Sequence, residues 1–209
     1  MLTDNQLEEL SVKMNIPLED IIFKDQTPST FKFNKSYIIN LEDEYDEGGN
    51  LNSGSHWTCL QINKYPNGTI QGIYFDPFGI APPKDIIDCY KRTTGKNHFP
   101  YNTKDIQSLM NNACGWFCCA FLHFINNFSH RSKDLYQDTD NFLEFFDDLN
   151  KSIDFKKNEF ILKHFFQPKD PAKRREIEVI ANPDTIYTDN NGERPDMMNI
   201  PIKVNIGNK

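Results

Sequence analysis

The stretch "NNACGWFCCAFLHFINN", residues 111–127, constrains the fold more than any other part of the chain. From Cys114 onward it is apolar at nearly every position, which is typical of a helix buried on all sides rather than of an amphipathic surface helix. The apolar run is about 12 residues long, whereas a helix that crosses a bilayer needs about 20. The sequence therefore predicts a buried core helix and no membrane span.

Other patterns predict the elements that pack around this helix. Thr3 and Gln6 have the spacing of a capping box, so a helix is expected at the amino terminus. "HWTCLQI" and "GIYFD" flank a turn with an Asn-Gly pair, which predicts an antiparallel hairpin. A strand is expected at 36–41, and further helices at "PKDIIDCYKR", at "TDNFLEFFDDLN" with Thr139 as its cap, at "NEFILKHFF" and at "PAKRREIEVIAN". The predicted fold class is α+β, with a mixed central β-sheet packed by helices.

The length of 209 residues fits one domain. We assign residues 1–181 to this domain and residues 182–209, rich in Pro, Asn and Asp, to an extended carboxy-terminal arm. Within the arm, isoleucines and a valine alternate strictly with other residues over 200–206, which is the pattern of a strand. The arm is therefore predicted to carry an added edge strand.

Charge and targeting signals narrow the possible partners. The net charge of −7 argues against a surface that coats nucleic acid, because such surfaces are normally basic. The amino terminus has no basic segment followed by an apolar one, so no secretory signal is visible. We expect a protein that is not secreted and whose thiols are reduced.

The five cysteines differ in position. Cys114 stands where the core helix is expected to begin, so its sulfur would face unpaired N–H groups and the positive end of the helix dipole, which stabilise a thiolate. Cys118 and Cys119 come one turn later in the apolar run, where burial disfavours a thiolate. Cys59 would share a strand with His56 but point to the opposite face, because the two are an odd number of residues apart. Cys89 has no visible His or charged partner, so both cysteines are interpreted as packing residues. Cys114 alone is predicted to be reactive.

A zinc site is the alternative interpretation of this cluster. Cys114 with Cys118, and Cys119 with His123, each have a spacing of four residues on one helix. The two pairs point about 100° apart around the helix, because a helix has about 3.6 residues per turn. One tetrahedral site cannot easily use both pairs, and no C-x2-C spacing exists, so no metal is expected.

Four polar residues occupy positions suited to nucleophilic catalysis: His56, Asp76, Gln107 and Cys114. Each alone has an ordinary structural explanation. The hairpin register decides whether the first two can meet. A tight two-residue Asn-Gly loop would place His56 opposite Gly79, whereas a five-residue loop, 64–68, would place it directly opposite Asp76. We predict the longer odd-numbered loop or a bulge instead of the tight Asn-Gly turn, with both side chains on one face.

The motifs "HWTCLQI", "YFDPFG" and "Q…ACGWFCCAFLHF" together resemble the adenovirus maturation protease (adenain) family and its relatives in virophages and Polinton-type elements. In that family the order is His, an acidic residue, Gln and Cys, with seven residues from Gln to Cys, as from Gln107 to Cys114 here. The likeness spans roughly residues 3–127, and the carboxy-terminal third is similar only in being helical. The same order occurs more distantly in Ulp1-like SUMO proteases, but "FCCAFLH" favours the adenovirus branch.

The resemblance implies an adenain/Ulp1-like cysteine protease fold and a role for each site residue. Cys114 would be the nucleophile, His56 its base, and Asp76 the residue that orients the imidazole. The side chain of Gln107 and the Cys114 backbone N–H would form the oxyanion hole. Trp57 would line the substrate groove. No metal takes part in this scheme.

The implied function is that of a viral maturation cysteine endopeptidase. Its substrates would be capsid or other virion precursor proteins, cut next to small, glycine-like residues. The alternative is a Ulp1-like protease that removes SUMO or a ubiquitin-like tag. We expect a monomer found in the virion and at the host-cell site of virus assembly, in a cytoplasmic factory or the nucleus.

The sequence also departs from the family. The adenovirus enzyme that the sequence resembles is basic and is activated by DNA and by a short viral peptide, which is disulfide-bonded to a cysteine eleven residues before the Gln. Here Lys96 holds that position and the chain is acidic. We therefore expect no cofactor and no DNA binding. As a hypothesis, the alternating segment 200–206 adds a strand in cis where that peptide adds one in trans.

Overall fold

A computed structural model describes residues 1–52, 54–127, 134–151 and 154–187. They form an α+β fold in which helices pack on a mixed four-stranded sheet, which confirms the predicted fold class. The strands are β1 (Leu18–Phe23), β2 (Lys35–Asn40), β3 (Trp57–Lys64) and β4 (Ile70–Phe75). The helices are α1 (Asp4–Lys13), α2 (Lys84–Thr94), α3 (Cys114–Asn127), α4 (Leu135–Leu143), α5 (Phe155–Phe165) and α6 (Pro171–Ile180), with short 3-10 helices at Lys24–Gln26 and Pro183–Ile186.

The strands follow one another across the sheet in chain order. β1 and β2 are parallel, and the β2–β3 and β3–β4 pairs are antiparallel. Alternate side chains of each strand point to opposite faces, and each face carries its own apolar core. One core contains Cys59 and Phe75 with α3, and the other contains Leu60 and Tyr74 with α2. The sheet therefore separates α3 from α2.

The expectation of a core helix is confirmed by α3. Most of its residues are buried, and it contacts β3, α1, α4 and α5. The ring of Phe121 stacks on Phe75 of the sheet with centroids 4.3 Å apart. Neighbours on all sides explain why the segment is apolar at almost every position. No helix within the described ranges is long and apolar enough to cross a membrane.

Sequence reasoning located one helix end well and misplaced another. At α1 the capping box is present, with Gln6 N–H donating to Thr3 Oγ1 and Thr3 N–H donating to Gln6 Oε1. The start predicted at Thr139 is wrong, because α4 begins at Leu135 and is capped by the Asp134 carboxylate. Thr139 lies inside the helix, where its hydroxyl donates to the Leu135 carbonyl at 2.8 Å.

The described part of the predicted arm, residues 182–187, packs against the domain. It forms the 3-10 helix Pro183–Ile186, and Ile186 is fully buried in the same core as α3. Asp184 also forms an ion pair with Lys163 of α5. The predicted edge strand at 200–206 lies outside the described residues.

Candidate active site

The β3–β4 hairpin sets the positions of His56 and Asp76. Tyr65 N–H donates to the Thr69 carbonyl at 2.9 Å, so the loop consists of residues 66–68, with Gly68 in the left-handed conformation at φ +84°. The loop has an odd number of residues, but it has three residues where the predicted longer loop has five. The pairing of β3 with β4 is therefore shifted by two residues from the predicted register. His56 therefore lies diagonal to Asp76 rather than opposite it, and the prediction that the two side chains share a face is confirmed.

The resulting pair is tightly held. His56 Nε2 and Asp76 Oδ1 are 2.9 Å apart, and Asp76 is fully buried. The Phe78 backbone N–H donates to the same oxygen at 2.8 Å, forming an Asx turn. The Phe78 ring also stacks on the imidazole, with centroids 4.7 Å apart. The hydrogen bond to the carboxylate and the stacking on the aromatic ring together hold the imidazole in one orientation.

Asn102 fixes the backbone of Asp76 and was not identified from the sequence. Its Oδ1 accepts from Asp76 N–H at 2.9 Å, and its Nδ2 donates to the Asp76 carbonyl at 2.7 Å. This pairing of a side-chain amide with a backbone amide spans 26 residues of sequence. No local pattern predicts such a contact.

The surroundings of His56 favour its charged form. Burial by itself would lower the pKa of His56, but the hydrogen bond to Asp76 and the interaction with the Cys114 side chain outweigh it and raise the pKa to about 9. Because Nε2 is bonded to Asp76, Nδ1 is the ring nitrogen left to pair with Cys114. The imidazole thus connects the carboxylate to the thiol.

Cys114 begins α3, as the sequence predicted. Phe117 N–H donates to the Ala113 carbonyl at 3.0 Å, so the helix ladder starts at Ala113 and Cys114 N–H belongs to the first turn, which a helix leaves without an intrahelical acceptor. Cys118 and Cys119 lie fully buried one turn further on, and burial raises the pKa of both thiols. Their interpretation as packing residues is confirmed.

Gln107 lies buried in the loop that leads to Cys114, with 2 % of its surface exposed. Its Nε2 donates to the Asn111 carbonyl at 3.2 Å. Asn111 Oδ1 in turn accepts from Ala113 N–H at 3.2 Å, so one residue joins Gln107 to the start of α3. Between these anchors, Leu109 and Met110 are 84 % and 71 % exposed, an apolar pair on the surface beside the site.

The prediction that the Trp57 side chain lines a groove is wrong. The indole is 2 % exposed, lies in the core with α3, and donates from Nε1 to the Leu2 carbonyl at 3.0 Å. The physical reason is strand alternation: Trp57 follows His56 directly, so its side chain points to the opposite side of the strand.

Lys96, which stands where the adenovirus enzyme that the sequence resembles has a cysteine, lies against the outer edge of β4. Its Nζ donates to the Ile70 carbonyl at 2.6 Å. Further along the same edge, Tyr74 N–H donates to the Pro100 carbonyl at 2.9 Å. These backbone groups of β4 already have partners within the chain, so a strand added here would have to displace them.

The loop that enters His56 depends on Gly54. Gly54 has φ +81°, and a Cβ there would lie 2.1 Å from Asn40 Nδ2, whereas Gly49 in the same loop has φ +77° with open space around it. Gly49→Ala is expected to cost about 1–2 kcal/mol of unfolding free energy from the backbone alone. Gly54→Ala should cost about 1–3 kcal/mol more from the clash. Urea unfolding of both variants measures this difference, and equal losses would contradict the predicted clash.

The structure thus joins four of the five residues selected from the sequence. His56, Asp76 and Cys114 form one connected set, Gln107 is linked to it through Asn111, and Trp57 stands apart. The sequence matches no protein-family model and no curated protein. The geometry of the site and the motifs in the sequence are therefore the basis for assigning a function.

Proposed function

We propose that this protein is a cysteine endopeptidase with a Cys114–His56–Asp76 triad, and that its fold is of the adenain/Ulp1 type. One observation carries the proposal. A buried carboxylate lies 2.9 Å from an imidazole whose other nitrogen is left for a cysteine at the first turn of a buried helix. This is the arrangement of nucleophile, base and orienting group that acyl transfer requires.

The first half of the reaction follows from these positions. The imidazolium of His56 is stabilised by Asp76, and it stabilises in turn a thiolate at Cys114, next to the positive end of α3. The sulfur attacks the substrate carbonyl carbon, forming a C–S bond and an oxyanion. His56 then gives its proton to the amide nitrogen, the C–N bond breaks, and the amine leaves with an acyl-enzyme behind it.

Hydrolysis of the acyl-enzyme reverses these roles. His56, now neutral, takes a proton from water, whose oxygen attacks the thioester carbonyl. The C–S bond breaks, the carboxylic acid leaves, and the thiolate–imidazolium pair forms again. Throughout, Asp76 holds the ring in one orientation through its bond to Nε2.

The oxyanion would be bound by two N–H donors. Gln107 Nε2 uses one hydrogen for the Asn111 carbonyl, so the second is left for a ligand. The Cys114 backbone N–H is the other donor, at the start of the helix. Because both donors are fixed before substrate arrives, they stabilise the developing charge without reorganisation.

Virion precursor proteins are the proposed substrates, cleaved next to small residues, with the enzyme acting at the site of virus assembly. This part of the proposal is supported by the resemblance, carried by the order His56, Asp76, Gln107, Cys114 and by "FCCAFLH". The acyl-transfer geometry is common to both candidate functions, and the sequence extension after Cys114 is what favours the maturation protease.

A cleavage assay tests the proposal directly. The purified protein is incubated with a peptide library of diverse sequence and, separately, with SUMO and ubiquitin conjugates, and mass spectrometry identifies new termini. We expect cleavage inside peptides next to glycine, absent in Cys114→Ala. Release of SUMO or ubiquitin without peptide cleavage would favour the deconjugating alternative, and no Cys114-dependent cleavage of either kind would refute the protease assignment.

Gln107→Ala is expected to lower kcat by about 10²–10³-fold, the usual effect of losing one oxyanion donor. Steady-state kinetics on the best library peptide measure the change. Gln61→Ala is the matched control, because Gln61 is equally buried but bonds Ser36 and Asn63 in the sheet. Similar kcat losses in the two variants would contradict a specific role for Gln107.

A further inference from the structure

We propose that Glu159, on α5, is a positioning residue for the oxyanion hole and acts through Asn111 on Gln107. The inference rests on the proposed function, since it assigns a role within the same site. It brings the carboxy-terminal third of the chain, which the sequence resemblance does not cover, into the catalytic apparatus. Glu159 lies 48 residues after Asn111.

Three of the hydrogen bonds that Asn111 forms link α5, the start of α3 and Gln107. Its Nδ2 donates to Glu159 Oε1 at 2.6 Å, its Oδ1 accepts from Ala113 N–H at 3.2 Å, and its carbonyl accepts from Gln107 Nε2 at 3.2 Å. The position of Asn111 therefore determines both where the Gln107 amide lies and how the chain enters α3. A shift of Asn111 therefore displaces the Gln107 amide, one of the two proposed oxyanion donors.

The Glu159 carboxylate fixes which way the Asn111 amide faces. A carboxylate only accepts hydrogen bonds and a backbone N–H only donates, so Nδ2 must face Glu159 and Oδ1 must face Ala113. The reversed amide would place two acceptors together at one end and two donors at the other. A hydrogen bond to a carboxylate is also stronger than one to a neutral acceptor, which holds Asn111 more firmly.

The burial of Glu159 indicates a specific role. Glu159 is 2 % exposed and lies in the buried part of α5. Placing a carboxylate in such surroundings is unfavourable unless it is hydrogen-bonded, and an apolar residue would fill the space at less cost. The presence of a buried carboxylate at this position is explained by its hydrogen bond to Asn111, which keeps the Asn111 amide in the orientation that the site needs.

Gln107 depends on this support. Its Oε1 is buried and has no hydrogen-bond partner among the described residues, so its bond to the Asn111 carbonyl is what orients the amide. The middle of the loop, Leu109 and Met110, is mostly exposed and offers little packing. Hydrogen bonds to Ser108 form the turn itself, and the bond from Asn111 to Glu159 ties this turn to α5.

The test compares Glu159→Gln, which keeps an acceptor oxygen, with Glu159→Met, which has a similar length and only a weak acceptor. On the best library peptide, Glu159→Met should lower kcat by roughly 10–100-fold, because a misplaced donor loses transition-state contact, with KM changed by less than about 3-fold. Glu159→Gln should stay within about 3-fold of the parent kcat. In the Gln107→Ala background, Glu159→Met should have much less effect, because both changes act on the same donor.

Gln61→Met controls for a general loss of stability. It should lower the melting temperature by about as much as Glu159→Met does and leave kcat unchanged. The proposal is overturned if Glu159→Met keeps the parent kcat, or if its effect is the same with and without Gln107. Should the parent protein cleave nothing, the proposed function fails, but the positioning still has a readout. The NMR resonance of the Gln107 side-chain amide should shift in Glu159→Met and not in Gln61→Met, and an unchanged resonance would refute the contact.

Discussion

Cys114→Ala is expected to lower kcat/KM for peptide hydrolysis by about 10⁴-fold or more, the scale on which loss of a catalytic nucleophile acts. A methyl group cannot form the thioester, so the acyl-enzyme never forms. The fold should survive, because the change removes a single sulfur atom at the first residue of α3. Kinetics on the best library peptide, with circular dichroism to check folding, measure the result.

Cys118→Ala is the matched control. It makes the same chemical change one helical turn away, at a fully buried thiol whose Sγ lies 3.4 Å from the Trp57 carbonyl. Burial raises the pKa of Cys118, so this thiol is protonated and unreactive at neutral pH. We expect a loss of stability with kcat retained, and alkylation by iodoacetamide at Cys114 alone. Parent-like hydrolysis by Cys114→Ala would disprove its role as nucleophile.

The predictions that succeeded depend on contacts within short stretches of sequence. The capping box at Thr3 needs only a residue three positions later, and the burial of α3 follows from its own apolar run. The shared face of His56 and Asp76 needs only an odd-numbered hairpin loop. In each case, the period of helix or strand converts sequence spacing into a direction in space.

The predictions that failed or were missing depend on which neighbour a residue meets. Trp57 was assigned to the groove from the resemblance, yet alternation along the strand turns its indole toward Leu2 and the core that contains α3. The cap of α4 could not be chosen by residue type, because Asp134 and Thr139 are both good N-caps and lie only five positions apart. The hydrogen bond that holds the Asn111 side chain comes from Glu159 on α5, so no residue close to Asn111 in the sequence predicts this contact.

Asp76→Asn is expected to lower kcat/KM by about 10³–10⁴-fold, because a neutral amide does not stabilise the imidazolium and can favour the wrong tautomer. The pH dependence should change as well. With Asp76 present, the raised pKa keeps His56 protonated up to about pH 9, so activity that needs the imidazolium falls as pH rises through that value. Without the carboxylate, the pKa of His56 loses a main cause of its rise, and the alkaline limb should move to lower pH.

The free energy of unfolding should also fall as pH rises. A histidine whose pKa is raised on folding contributes stability that is fully present below its ordinary pKa of 6.5 and is lost as pH rises through about 9. The difference in unfolding free energy between the parent and Asp76→Asn should therefore shrink over that interval.

Asp46→Asn is the control for both measurements. Asp46 also accepts a hydrogen bond from the N–H two residues later, that of Gly48, at 2.8 Å. Its carboxylate lies on an exposed loop and forms no bond to an imidazole among the described residues. An alkaline limb that stays in place in Asp76→Asn would show that this carboxylate does not set the protonation of His56.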